Sequence, residues 1–94
     1  MFEIVATTHF ERELRKIVAK HREVVLMYER ALEILEKDPY NLTRKNKIKK
    51  LTDIAKDTDG MWRLTNGVYR IQYDIEGKTV VLIRISDRKD IYRK

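Results

Sequence analysis

Apolar and polar side chains alternate from Phe2 to Ala6, with aromatic and β-branched types prominent, which predicts a short strand at a sheet edge. Thr8 and Glu11 then form a Thr-x-x-Glu capping box, in which each side chain satisfies an unpaired backbone N–H, so a helix is expected to begin there. Phe10, Leu14, Ile17 and Val18 make one apolar stripe, and Val24, Val25, Tyr28, Ala31, Leu32 and Leu35 make a second. No glycine or proline interrupts residues 9 to 37, so the phase is compatible with a single helix. That helix would be about 43 Å long, more than so small a chain can cover, which favours two antiparallel helices turning near Ala19 to Arg22. Asp38-Pro39 ends the helical pattern, because proline disfavours helical dihedrals in the residue before it.

Residues 41 to 60 read as a basic, mostly irregular connection around Ile48-Lys49-Lys50-Leu51. From Met61 the period changes to two, and Asn66-Gly67 predicts a tight hairpin. With those two residues as the turn, Arg63 faces Arg70 and Trp62 faces Ile71. Trp62, Leu64, Tyr69, Ile71 and Tyr73 then share a core-facing side, while Arg63, Thr65, Arg70 and Gln72 share the other. Thr79 to Ser86 reads as a further strand, with two competing loops before it. A two-residue loop places Arg84 on the core face. A three-residue loop, Ile75-Glu76-Gly77, turns Val81, Ile83 and Ile85 inward and sets Arg84 beside Arg70, and the cost of burying an unpaired arginine favours it. The expected architecture is a single α+β domain over residues 1–94. It has an N-terminal strand, a helical hairpin on one face of a small, twisted, mainly antiparallel sheet, and a short C-terminal tail or helical turn.

The 94 residues suit one domain and no more. No cysteine is present, which removes disulfides, thiolate zinc sites and cysteine nucleophiles and fits a reducing compartment. No apolar run approaches the roughly 18 residues of a membrane span, and the start does not resemble a signal peptide, so a cytoplasmic location with no membrane partner is expected. The net charge is +6, distributed unevenly. Residues 1–40 carry seven Lys/Arg against eight Asp/Glu, and residues 41–94 carry fourteen against seven. The second part therefore reads as directed toward a polyanion.

Opposed arginines on a sheet repel, and a bound phosphate would offset the repulsion because guanidinium groups fork around its oxygens. The alternative is that the arginines splay apart and pair with Asp74, Asp87 or Asp90. Trp62 falls inward by parity and reads as core. His9 and His21 form no metal set, and carboxylates on the arginine face are too few for a two-metal nuclease, so neither metal nor cofactor is expected. In the tail, Arg88 and Tyr92 stand four apart, on one side of a helical turn if the segment is helical. A tyrosine there could stack on an unpaired base or pack on the sheet.

The run Trp62-Arg63-Leu64, the segment Gly67-Val68-Tyr69-Arg70-Ile71-Gln72-Tyr73 and the closing Arg88-Lys89-Asp90-Ile91-Tyr92 resemble the RelE/ParE superfamily of toxins from toxin–antitoxin pairs. The likeness extends over nearly the whole chain. In the RelE branch it implies an endonuclease that cuts mRNA in the ribosomal A site; the ParE branch inhibits DNA gyrase. Carried across by position, Arg63, Arg70, Arg88 and Tyr92 would be catalytic. Lys47, Lys49, Lys50, Arg84, Lys89 and Arg93, from the basic second part of the chain, are the expected RNA contacts. Two positions depart from ribosome-dependent members: Thr65 where a second lysine is common, and Asp87 where a histidine often precedes the final arginine. The chemistry implied is attack of an RNA 2′-hydroxyl on its own phosphate, with Tyr92, Lys49 or Lys50 as candidate bases. Implied partners are the ribosome with its mRNA and an antitoxin with an acidic disordered segment, the free toxin being a monomer or weak dimer. A relative that binds nucleic acid without cutting it is a further alternative.

Overall fold

The computed structural model describes residues 1–51 and 61–87. The elements are β1 (Glu3–Ala6), α1 (Thr8–Lys20), α2 (Val24–Lys37), β2 (Ile48–Lys50), β3 (Trp62–Asn66), β4 (Tyr69–Glu76) and β5 (Thr79–Asp87). The strands form one sheet in the order β1-β5-β4-β3-β2. β1 runs parallel to β5 and every other pairing is antiparallel. Residues 9 to 37 form the helical hairpin, broken at residues 21 to 23.

Both helices cover the same face. Phe10 of α1 and Ala31 and Leu35 of α2 close on Leu64, Ile71, Tyr73, Val80, Leu82 and Ile85, all buried. The stripes are narrower than the sequence implies, because Val25 remains 43% exposed in the first turn of α2. The cap of α1 is Thr7 rather than Thr8: the Thr7 Oγ1 accepts from the Phe10 N–H at 3.1 Å. β1 determines that choice, since the Thr7 N–H continues the β1–β5 ladder by donating to the Leu82 carbonyl at 3.0 Å. The chain leaves the sheet and enters the helix through one residue.

Ile48–Lys50, expected within an irregular connection, is an edge strand paired with β3. The loop before it is held by its own side chains. Asp38 accepts from the Leu42 and Thr43 N–H groups and from the Thr43 hydroxyl at 2.6 Å. Asn41 clamps the backbone of Asn46 from both sides of its amide, and takes a positive φ of 57° to do so. Burial would raise the Asp38 pKa, but the hydrogen bonds from Thr43, Leu42 and Asn46 outweigh it and hold the carboxyl below its ordinary value.

Two register expectations are corrected. Asn66 pairs with Tyr69, so Gly67-Val68 forms the turn and Arg63 faces Gln72 instead of Arg70. Glycine occupies the first turn position at φ +64°, as a Gly-X hairpin requires, while the Asn66 amide donates to the Met27 carbonyl of α2 at 3.1 Å. The pairing moves by two residues, so the faces keep their parity. The second correction concerns β5. Glu76 pairs with Thr79 across a two-residue turn, and Val80 and Leu82 are buried in place of Val81 and Ile83. A bulge in β5 opposite Gln72 and Tyr73 then restores the alternation, burying Ile85 and turning Arg84 outward. The irregularity expected in the loop lies within the strand.

Candidate nucleic-acid interface

The helices cover one face of the sheet, and on the other the register arranges the side chains in rows. One row crosses four strands: Lys49, Arg63, Gln72 and Arg84, each opposite the next. The neighbouring row is Thr65, Arg70 and Ser86, which places Arg70 between two hydroxyl-bearing residues. Arg63 and Arg70 are therefore diagonal neighbours, about 7–8 Å apart at their backbones, within reach of one phosphodiester for side chains this long. The directly opposed cations are Lys49 and Arg63, a pairing the sequence reading missed because β2 carries too short a pattern to register as a strand.

Neither Arg63 nor Arg70 makes an ion pair among the described residues. The Nε atom of each is buried without a hydrogen-bond partner among them. Buried donors are nearly always satisfied in folded proteins, so these two Nε–H groups are exceptions, although being enclosed they are not themselves open to an external acceptor. Arg84 is placed differently. Its Nη2 lies 3.9 Å from Glu13 Oε2, and Glu13 Oε1 accepts from the Ile85 N–H at 3.2 Å. Glu13 thus draws Arg84 toward α1, an attachment no local sequence signal announces because it joins residues far apart in the chain.

Among the expected nucleic-acid contacts, Lys49 belongs to the arginine row, whereas Lys50 is on the helix side, 5.6 Å from the centre of the Trp62 ring. Lys47 borders β3 through its carbonyl, which accepts from the Thr65 N–H at 2.9 Å. Arg88, Lys89, Tyr92 and Arg93 lie outside the described residues. Trp62 packs against the core, as parity predicts, with Tyr40 edge-on at 5.4 Å. Among the described residues no cluster of three or more His, Asp or Glu could hold a metal ion. No helix among them is long and apolar enough to cross a membrane.

A helical hairpin on one face and a row of cations on the other define a small α+β domain with one basic sheet face. A sequence profile for the ParE toxin of type II toxin–antitoxin systems, parDE, matches residues 4–92. The chain belongs to this family, within the RelE/ParE toxin superfamily. The toxin–antitoxin complex RelBE2 from Mycobacterium tuberculosis contains a chain that is 25% identical, with a TM-score of 0.69 over 93% of this chain and 98% of that one. YafQ from E. coli shares the fold at 14% identity, with a TM-score of 0.70 over 99% of this chain and all of the other. The RelB–RelE complex from Methanococcus jannaschii also shares it, at 24% identity and a TM-score of 0.61 over 94% of each chain. No individually curated protein matches significantly. The family is one of toxins from type II toxin–antitoxin systems, and two of these structures are complexes of a toxin with its antitoxin.

Proposed function

We propose that this toxin is a ribosome-dependent mRNA endonuclease. The observation that carries the reading is the pair Arg63 and Arg70, diagonal on the open sheet and without an acidic partner among the described residues. Cleavage proceeds by attack of the 2′-oxygen on the adjacent phosphorus. The P–O5′ bond breaks, a 2′,3′-cyclic phosphate forms, the proton lost from the 2′-hydroxyl passes to a base, and the departing O5′ takes a proton from solvent to become a free hydroxyl. Arg63 and Arg70, joined by Arg88 on the family resemblance, stabilise the charge that accumulates on the phosphorane. Arginine cannot serve as the base. Lys49, opposite Arg63, is better placed for that role than Lys50, which faces Trp62; Tyr92 is the candidate from the tail. The ribosome would supply the alignment of the attacking oxygen.

Brief induction in cells tests this: transcripts cut inside codons are expected, with translation arrest relieved by Arg70→Ala. Growth arrest with intact mRNA would refute it. The second reading, a gyrase-directed toxin, is favoured by Thr65 in place of a lysine and by the match to the ParE profile. It predicts a DNA-damage response and inhibited supercoiling with no mRNA ends. In either case an antitoxin segment rich in Asp and Glu, ordering as it binds, complements the net charge of +6.

A further inference from the structure

Tyr40 stands on the helix side of the β2–β3 edge, where its neighbours leave it little freedom. Pro39 just before it is buried, and its carbonyl accepts from the Tyr73 hydroxyl at 2.6 Å. Phe2 packs edge-on against the Tyr40 ring at 6.0 Å and Trp62 does so at 5.4 Å. Despite these anchors Tyr40 keeps 42% of its surface exposed, an aromatic side chain held in place and wet. On this side of the sheet Lys50 lies over the Trp62 ring, while Lys49, adjacent in β2, joins the arginine row on the opposite face. The edge strand therefore carries positive charge to both sides of the sheet, with an aromatic platform on one side and the arginine pair on the other.

We infer that Tyr40, braced by Trp62, whose ring also carries Lys50, is a stacking site for one unpaired base of single-stranded RNA. The strand's phosphates cross β2 at Lys49 toward Arg63. Aromatic rings beside lysines serve this purpose because every base offers a π-face while the cations track the backbone. The inference rests on the RNA-cleaving reading for its ligand class and assigns a base-binding position away from the scissile phosphate.

Trp62 is the single tryptophan of the chain, so its emission reports directly on the platform. Purified full-length toxin is titrated at low salt with a short oligoadenylate and with an abasic oligomer of equal length and charge. The oligoadenylate should alter Trp62 emission and bind roughly tenfold more tightly than the abasic oligomer. Tyr40→Ala should remove that preference, whereas Tyr40→Phe should keep it. Equal affinity of the wild-type protein for the two oligomers would overturn the proposal whatever the fate of the variants. So would a Tyr40→Ala protein that retains the preference. The two readings separate in this assay: if induced cells show no cut transcripts but the preference depends on Tyr40, the nuclease reading falls and the stacking site stands.

Discussion

The Tyr73 hydroxyl donates to the Pro39 carbonyl across 34 positions of chain, in a side chain with no exposed surface. Alternation along β4 places Tyr73 inward, but nothing local to the sequence supplies its partner, since the loop that brings Pro39 over the sheet is itself positioned by Asp38 and Asn41. The same division holds at Thr7, where a capping residue was legible and its identity was not, because β1 claims the Thr7 N–H for the sheet. Tyr73→Phe leaves a buried carbonyl unpaired and should cost about 1–2 kcal/mol. In a domain of this size that lowers the thermal midpoint by about 4–8 °C for each kcal/mol, measurable by circular dichroism. Burial, and secondarily the Asp38 carboxylate, raise the pKa of the Tyr73 phenol well above its ordinary value. A raised folded-state pKa means that its contribution is complete below the unfolded value of about 10 and declines as pH rises beyond it. The wild-type protein should therefore lose stability above that pH more steeply than Tyr73→Phe does, and parallel alkaline curves for the two would count against this account.

Element by element, period-two alternation identified β3 and β4, a nearly continuous apolar run identified β5, and a helix's length against the size of the chain identified the hairpin. Register was beyond that pattern. A two-residue slip preserves the inward face, so alternation cannot distinguish Gly67-Val68 from Asn66-Gly67; the distinction comes from the Asn66 amide reaching α2. The β5 bulge was invisible for a related reason, as the run from Val80 to Ile83 is apolar whichever residues face inward. The two turn glycines offer a test. Both adopt positive φ, 64° at Gly67 and 62° at Gly77. A Cβ at Gly77 meets nothing within 4 Å, whereas one at Gly67 comes 3.0 Å from the Met27 Cε. Gly77→Ala should cost about 1 kcal/mol from left-handed strain alone. Gly67→Ala should cost more in urea unfolding, and the difference should shrink in a Met27→Ala background.

For the whole molecule, the excess positive charge after residue 40 anticipated a basic surface, and the sheet concentrates part of it by aligning Lys49, Arg63 and Arg84 in one row. That row exists only when β2 through β5 are assembled. β1, the first strand made, pairs with the last: Glu3 with Thr79 through Ala6 with Leu82. Contacts between such distant positions form late, after the entropy of closing the intervening chain has been overcome. Removing residues 2–6 would strip β5 of its parallel neighbour, and such a variant should lose the sharp single unfolding transition of the intact protein in calorimetry. During synthesis the consequence is one of timing. An emerging polypeptide can build its helices early, but it can align this row of cations only after β5 has been made and has found its partners.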